Sequence, residues 1–248
     1  MASKYKIAMP TLKCWIAAIC VHGLLAVGDV SANEITWSGR QWVLRDDTGG
    51  PGPNTFAASN VQVDADGVLH LHITQAPGGW TCAELYTTSA LGYGTYEFVL
   101  GSRVDQLDPN VVLGLFNYPE ANAGPDGTNE IDIEYSRWAA AENPIGNYTV
   151  WPAKLGVDNA HHEFDMPAAV PTIQRFGWEA GNVTFHTQQL NAKNKWENIA
   201  TWTTPRGFAR SVGHVPMPVH LNLWLFDGKP PTDAKDVEIL VRQFKYSK

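Results

Sequence analysis

An all-β fold, built as a two-sheet β-sandwich or jelly roll, follows from three features of this 248-residue chain. Apolar residues recur at period two rather than 3.6, turn-forming pairs punctuate them at short intervals, and long helical periodicity is absent. Many short alternating runs in about 200 residues are the pattern of a sandwich.

The first 32 residues stand apart from that pattern. Lys4, Lys6 and Lys13 precede a charge-free apolar run of 14 residues from Cys14 to Val27, and Val30-Ser31-Ala32 closes it with small residues. This is the layout of a secretory signal, and the run is shorter than the roughly 20 residues of a membrane span. Bulky Ile19 before Cys20 argues against a lipoprotein. Residues 1–32 are therefore expected to be a signal peptide, with export to a secreted or periplasmic location. Cleavage would leave 216 residues at net charge −9 and Cys82 as the one cysteine. A lone nucleophilic thiol needs an activating base and a lowered pKa. Neither is suggested near Cys82, so a buried structural cysteine is expected.

Residues 33–248 contain no repeat, low-complexity tract or linker, which predicts a single domain. The first strands are read at Val61 and Val63 and over Val68-Leu69-His70-Leu71-His72-Ile73. Further strands follow at Tyr96 to Leu100, Val111 to Phe116 and Val237 to Phe244. Turn chemistry separates them at Asp66-Gly67, Gly78-Gly79, Asp126-Gly127 and Asp227-Gly228. One turn of helix is expected over Ala139–Glu142. His70 and His72 share a strand face and could bind zinc. Without a third ligand at a recognisable spacing, they and His161-His162-Glu163 are read as solvated surface.

Composition narrows the function. With 18 basic and 25 acidic residues the chain has net charge −7, and its pI is near 5.6. No basic face for nucleic acid is indicated. Charged residues are 17% and aromatics 11%, which suits a weakly charged surface for a neutral polymer. No Gly-rich phosphate loop or Gly-x-Ser-x-Gly elbow occurs. After signal removal no membrane partner is expected, and the chain is expected to be a monomer.

The most informative segment is Thr128-Asn129-Glu130-Ile131-Asp132-Ile133-Glu134-Tyr135. Isoleucines alternate with acids, so Glu130, Asp132 and Glu134 share one face of a strand whose other face enters the core. Three like charges on one face repel, and a merely solvated face would mix in Thr, Lys or Arg. Residues four apart on a strand are roughly 13 Å apart, and inward-leaning glutamates would bring their carboxyl groups to about 5 Å. Double displacement at a sugar carbon needs roughly 5–5.5 Å, and single displacement about 6.5–9.5 Å. Spacing therefore points to two cooperating catalytic glutamates, with Asp132 raising the pKa of the acid. Calcium binding is the competing reading, although Ca²⁺ loops are curved and glycine-containing.

With these residues in view, the chain resembles glycoside hydrolase family 16, in particular its bacterial lichenase branch. The family motif Glu-x-Asp-x-Glu is present as Glu130-Ile131-Asp132-Ile133-Glu134, without the extra residue of the laminarinase branch. The resemblance implies Glu130 as nucleophile, Asp132 as its supporting partner and Glu134 as acid/base. Further similarity lies in Cys82-Ala83-Glu84, Gly92 to Glu97, Phe116-Asn117-Tyr118, Phe176-Gly177-Trp178 with Gly181-Asn182-Val183, and Leu221-Asn222-Leu223-Trp224. It implies a concanavalin-like jelly roll whose concave cleft grips a polysaccharide, most simply a β-glucan. Substrate binding is expected from Asn54, Glu84, Phe116, Tyr118 and Trp138, and from Asn147, Trp151, Asn222 and Trp224. No cofactor is expected, and a structural calcium ion is left open.

The chain departs from the family where substrate identity would be set. Tyr86 stands where the lichenases have Arg, and the cysteine that would pair with Cys82 near Thr55 is missing. Tyr135-Ser136-Arg137-Trp138 replaces a Phe-Leu-Gly run, and the loop after Trp224 reads Leu225 to Pro231. Trp37, Trp42, Trp178 and Trp202 sit in apolar patterns and are expected in the core. A transglycosylase with the same catalytic residues, or a non-catalytic carbohydrate-binding protein on the same scaffold, are the alternatives.

Overall fold

The computed structural model describes residues 33–120 and 124–248, and the expected signal segment lies outside them. The chain first forms β1 (Glu34–Trp37), β2 (Arg40–Leu44), β3 (Thr48–Gly49), β4 (Asn54–Thr55), β5 (Val61–Val63) and β6 (Leu69–Ala76). It continues through β7 (Gly79–Thr81), β8 (Ala83–Thr87), β9 (Gly94–Leu100), β10 (Val111–Asn117), β11 (Ile131–Tyr135) and β12 (Gly146–Val150). The last six are β13 (Ala160–Phe164), β14 (Thr172–Glu179), β15 (Asn182–Leu190), β16 (Trp196–Thr203), β17 (Val219–Leu225) and β18 (Val237–Ser247).

Two large antiparallel sheets result, a jelly-roll sandwich. The first runs β1-β2-β8-β17-β10-β11-β12-β13 and the second β16-β15-β14-β9-β18-β6-β5, with β7 on β6. Strand alternation builds the core between them. Leu113, Leu115, Ile131, Ile133, Leu221 and Leu223 point inward from the first sheet, each 1% exposed or less. Leu69, Leu71, Phe98, Phe176, Phe185 and Val241 meet them from the second. Period two breaks once in β18, where the register shifts between Val241 and Gln243. That bulge turns both Val241 and Phe244 inward although they are three residues apart.

A polar chain crosses the core behind β11. Tyr148 Oη donates to Thr187 Oγ1 (2.7 Å), which donates to Gln174 Oε1 (2.9 Å), and Tyr135 Oη donates to the same oxygen. Gln174 Nε2 in turn donates to Thr172 Oγ1 at 2.8 Å. Every buried polar group in it has a partner, as burial demands.

The expected turn of helix over 139–142 does not form. Trp138 (φ 52°) and Ala139 (φ 62°) are left-handed, a conformation a right-handed helix cannot contain. The Ala139 N–H instead donates to Pro109 O at 2.8 Å. Among the described residues, no helix is long and apolar enough to cross a membrane.

Candidate active site

Cross-strand register converts five separate sequence segments into one grid on the outer face of the first sheet. Glu84 pairs with Asn222, Asn222 with Gly114, Gly114 with Glu134, and Glu134 with Asn147. The adjacent rung is Tyr86, His220, Phe116, Asp132 and Thr149. Directly opposed side chains on such a face lie about 4.5–5.5 Å apart. Glu130 precedes β11, and its carbonyl accepts the Trp151 N–H at 2.8 Å, which prolongs the ladder by one residue. The three acids therefore line one cleft of about 560 Å³, together with Glu84, Phe116, Tyr118, Asn222 and Trp224.

Burial governs the protonation of this triad. Asp132 is 3% exposed, while Glu130 and Glu134 are half-buried. Loss of water raises all three carboxyl groups, and the charges of Glu130 and Glu134 raise Asp132 further. Asp132 and Glu130 share a hydrogen bond that raises the first and lowers the second. The shared hydrogen bond therefore favours the protonated form of Asp132 and opposes, without cancelling, the rise that burial gives Glu130. Its other contact is Trp151 Nε1, which donates to Asp132 Oδ2 at 3.1 Å. Glu134 is pushed up to about 7 by burial, where a carboxyl group can both give and take a proton near neutrality.

Close approach at the floor of the cleft depends on Gly114. A Cβ there would lie 2.4 Å from Asn222 Oδ1. Asn222 Oδ1 is itself buried with no hydrogen-bond partner among the described residues, so it is an acceptor available to a ligand hydroxyl.

One end of the cleft carries a charged relay. Arg45 Nη1 meets Glu84 Oε2 at 2.8 Å, and His220 Nδ1 meets Glu84 Oε1 at 2.9 Å. Arg45 also pairs with Asp47 at 2.7 Å and lies 4.0 Å from the Phe56 ring centre. His220 stacks between Tyr86 and Phe116, with centroids 5.1 Å away on each side. Tyr118 Oη donates to Asp126 Oδ1 at 2.9 Å.

Sequence reasoning did not single out Arg45, Asp126 or His220. His220 had a local signal, since it lies two residues before Asn222 and so shares its face. Arg45 had none, because its place beside Glu84 comes from pairing across 39 residues.

The other expected binding residues are tied into the structure around the cleft instead of its lining. Asn54 is 3% exposed, donating to Pro51 O and Leu225 O at 2.7 and 2.9 Å. Its Oδ1 accepts the Cys82 thiol at 3.4 Å, and burial pushes that thiol up to about 12. Asn147 stands opposite Glu134, but its Nδ2 donates to Ser136 O and Ile145 O, both at 3.1 Å. Trp138 Nε1 donates to Asn147 Oδ1 at 3.3 Å, and its ring packs on Phe226. Trp151 serves Asp132 as described. These four border the cleft's supporting structure, whereas Glu84, Phe116, Tyr118, Asn222 and Trp224 are brought together on its lining.

No family model matches the sequence, and no curated protein does. Solved structures do match. A Bacillus licheniformis beta-glucanase superposes with a TM-score of 0.62 at 19% identity, covering 84% of this chain and 92% of that one. A beta-1,3-1,4-glucanase (lichenase) from a mouse hindgut metagenome gives 0.62 at 18% identity, covering 85% and 94%. A glycoside hydrolase family 16 endo-glucanase from Bacteroides ovatus gives 0.61 at 12% identity, covering 83% and 94%. At these identities the likeness is one of architecture: the chain has the jelly-roll fold of the family 16 glucanases.

Proposed function

We propose that this protein is a glycoside hydrolase of family 16 that cleaves internal β-linkages of a glucan with retention of configuration. The observation that carries the reading is the triad itself. Three acids share one strand face in a cleft, the middle one shares a hydrogen bond with the first, and burial raises all three. The glucanase-type fold supports a β-glucan as the substrate class.

In the first step the Glu130 carboxylate attacks the anomeric carbon while Glu134 protonates the departing glycosidic oxygen. The C–O bond breaks and a glycosyl ester of Glu130 forms. Glu134, now a carboxylate, takes a proton from water, whose oxygen displaces Glu130 from the same carbon. Asp132 is a positioning residue: its proton holds one Glu130 oxygen and leaves the other free to attack. Asn222 Oδ1 and the rings of Phe116 and Trp224 would grip the sugar through a hydroxyl and through C–H faces.

The test is hydrolysis of mixed-linkage β-glucan by the purified protein, with proton NMR of the first-formed reducing end. A β-anomer at the outset is expected; an α-anomer would overturn the retaining mechanism. Glu134→Gln should lower kcat by about 10²–10⁴-fold, and Glu130→Gln should reduce it to background, both with native circular dichroism. Undiminished hydrolysis in either variant would remove the assignment.

A further inference from the structure

A second cluster of chemically capable side chains lies on the outer face of the other sheet. Leu69, Leu71 and Ile73 of β6 are fully buried, so strand alternation turns His70 and His72 outward. On β18, Ile239 and Val241 face the core, which turns Glu238 outward as well. Register sets Glu238 directly opposite His72 and Leu240 opposite His70.

The three side chains converge. The imidazole rings stack with centroids 6.2 Å apart and an interplanar angle of 17°. Glu238 Oε1 lies 2.8 Å from His70 Nδ1 and 3.8 Å from His72 Nε2. One ligand atom from each residue lies within 4.8 Å of the other two. A tetrahedral zinc ion bound at about 2.0–2.2 Å needs its ligand atoms about 3.3–3.6 Å apart.

An outer partner is also in place. The second ring nitrogen of His70, Nε2, lies 3.2 Å from Asp64 Oδ2. Asp64 is fixed by the turn between β5 and β6, where its Oδ1 accepts the N–H groups of Asp66 and Val68, both at 2.9 Å. A carboxylate behind a histidine ligand is the arrangement that sets tautomer and ring orientation in metal sites.

We propose that His70, His72 and Glu238 form a zinc-class divalent metal site, oriented by Asp64 and distinct from the cleft. Two imidazoles and one carboxylate suit zinc and related transition ions, whereas calcium and magnesium prefer all-oxygen shells. The cation would tie β6 to β18, two neighbouring strands in the interior of the second sheet.

The experiment titrates the purified protein with zinc chloride against a chromophoric chelator, with cobalt(II) absorption reporting geometry. One equivalent is expected to bind, with a tetrahedral cobalt spectrum and a rise in Tm that calcium does not reproduce. His72→Ala and Glu238→Gln should each abolish stoichiometric binding. Asp64→Asn should weaken it by about 10–100-fold while preserving one site. Glu134→Gln should bind zinc normally, which separates this site from the acids of the cleft. His72→Gln keeps a polar side chain if the alanine variant folds poorly. Absence of saturable binding at one equivalent would overturn the proposal and leave a hydrogen-bonded surface cluster. So would binding unchanged in both His72→Gln and Glu238→Gln.

Discussion

Gly114 shows how a single residue without a side chain can define a site. It stands between Glu134 on one strand and Asn222 on the other, and the Asn222 side chain fills the space that a methyl group would take. An added Cβ would lie 2.4 Å from Asn222 Oδ1 and 3.3 Å from the Phe116 ring. Gly114→Ala is therefore expected to swing Asn222 aside and to cost about 1–3 kcal/mol by overpacking. The change should appear as a roughly tenfold higher KM, the equivalent of losing one hydrogen bond of about 1.4 kcal/mol to the substrate. An unaltered KM would show that Asn222 does not hold the sugar.

Strand β11 works because its two faces do opposite tasks. Ile131, Ile133 and Tyr135 anchor it in the core, and the buried hydroxyl of Tyr135 ends on Gln174 of the second sheet. Gln174 thus couples the strand of the acids to β14, and Thr187 of β15 donates to the same oxygen. Gln174→Leu removes the acceptor of two buried hydroxyl groups, each left unsatisfied at about 1–3 kcal/mol. Urea unfolding should register that loss with the m-value unchanged. The apolar anchors of β11 remain, so kcat below the lowered Tm should change little.

Across the whole molecule, the acid triad sets how stability and activity respond to pH. Burial raises Glu134 from its ordinary 4.5 to about 7. Folding thus favours its protonated form, and the stability this provides is present below about 4.5 and lost as pH rises through about 7. Glu134→Gln should therefore be more stable than the parent at pH 8, by on the order of 1–2 kcal/mol after allowing for contact with solvent. Near pH 4 the difference should vanish, and chemical denaturation at both pH values measures it. Activity should follow the two glutamates together: kcat should rise as Glu130 ionises and fall as Glu134 loses its proton, a bell with its maximum between about pH 7 and 8. A rate that climbs steadily to pH 9 would contradict the role given to Glu134.

The sequence by itself determined the alternation. Period-two patterning is local, so it defined the two-faced strands and the inward isoleucines, and it put Glu130, Asp132 and Glu134 on one side. It extended equally to His70 and His72. Tertiary structure alone decided who stands beside whom, because register between strands far apart in the chain leaves no local trace. That register set Arg45 and His220 on the two oxygens of Glu84 and brought Glu238 to the histidines from 168 residues away. It also directed Asn54 and Asn147 to carbonyl groups rather than to the cleft, since buried amides must find partners wherever packing offers them. The helix expected at Ala139 failed for the same reason. Left-handed residues and a bond to Pro109 outweigh local helical preference once the sheets have fixed both ends of the loop.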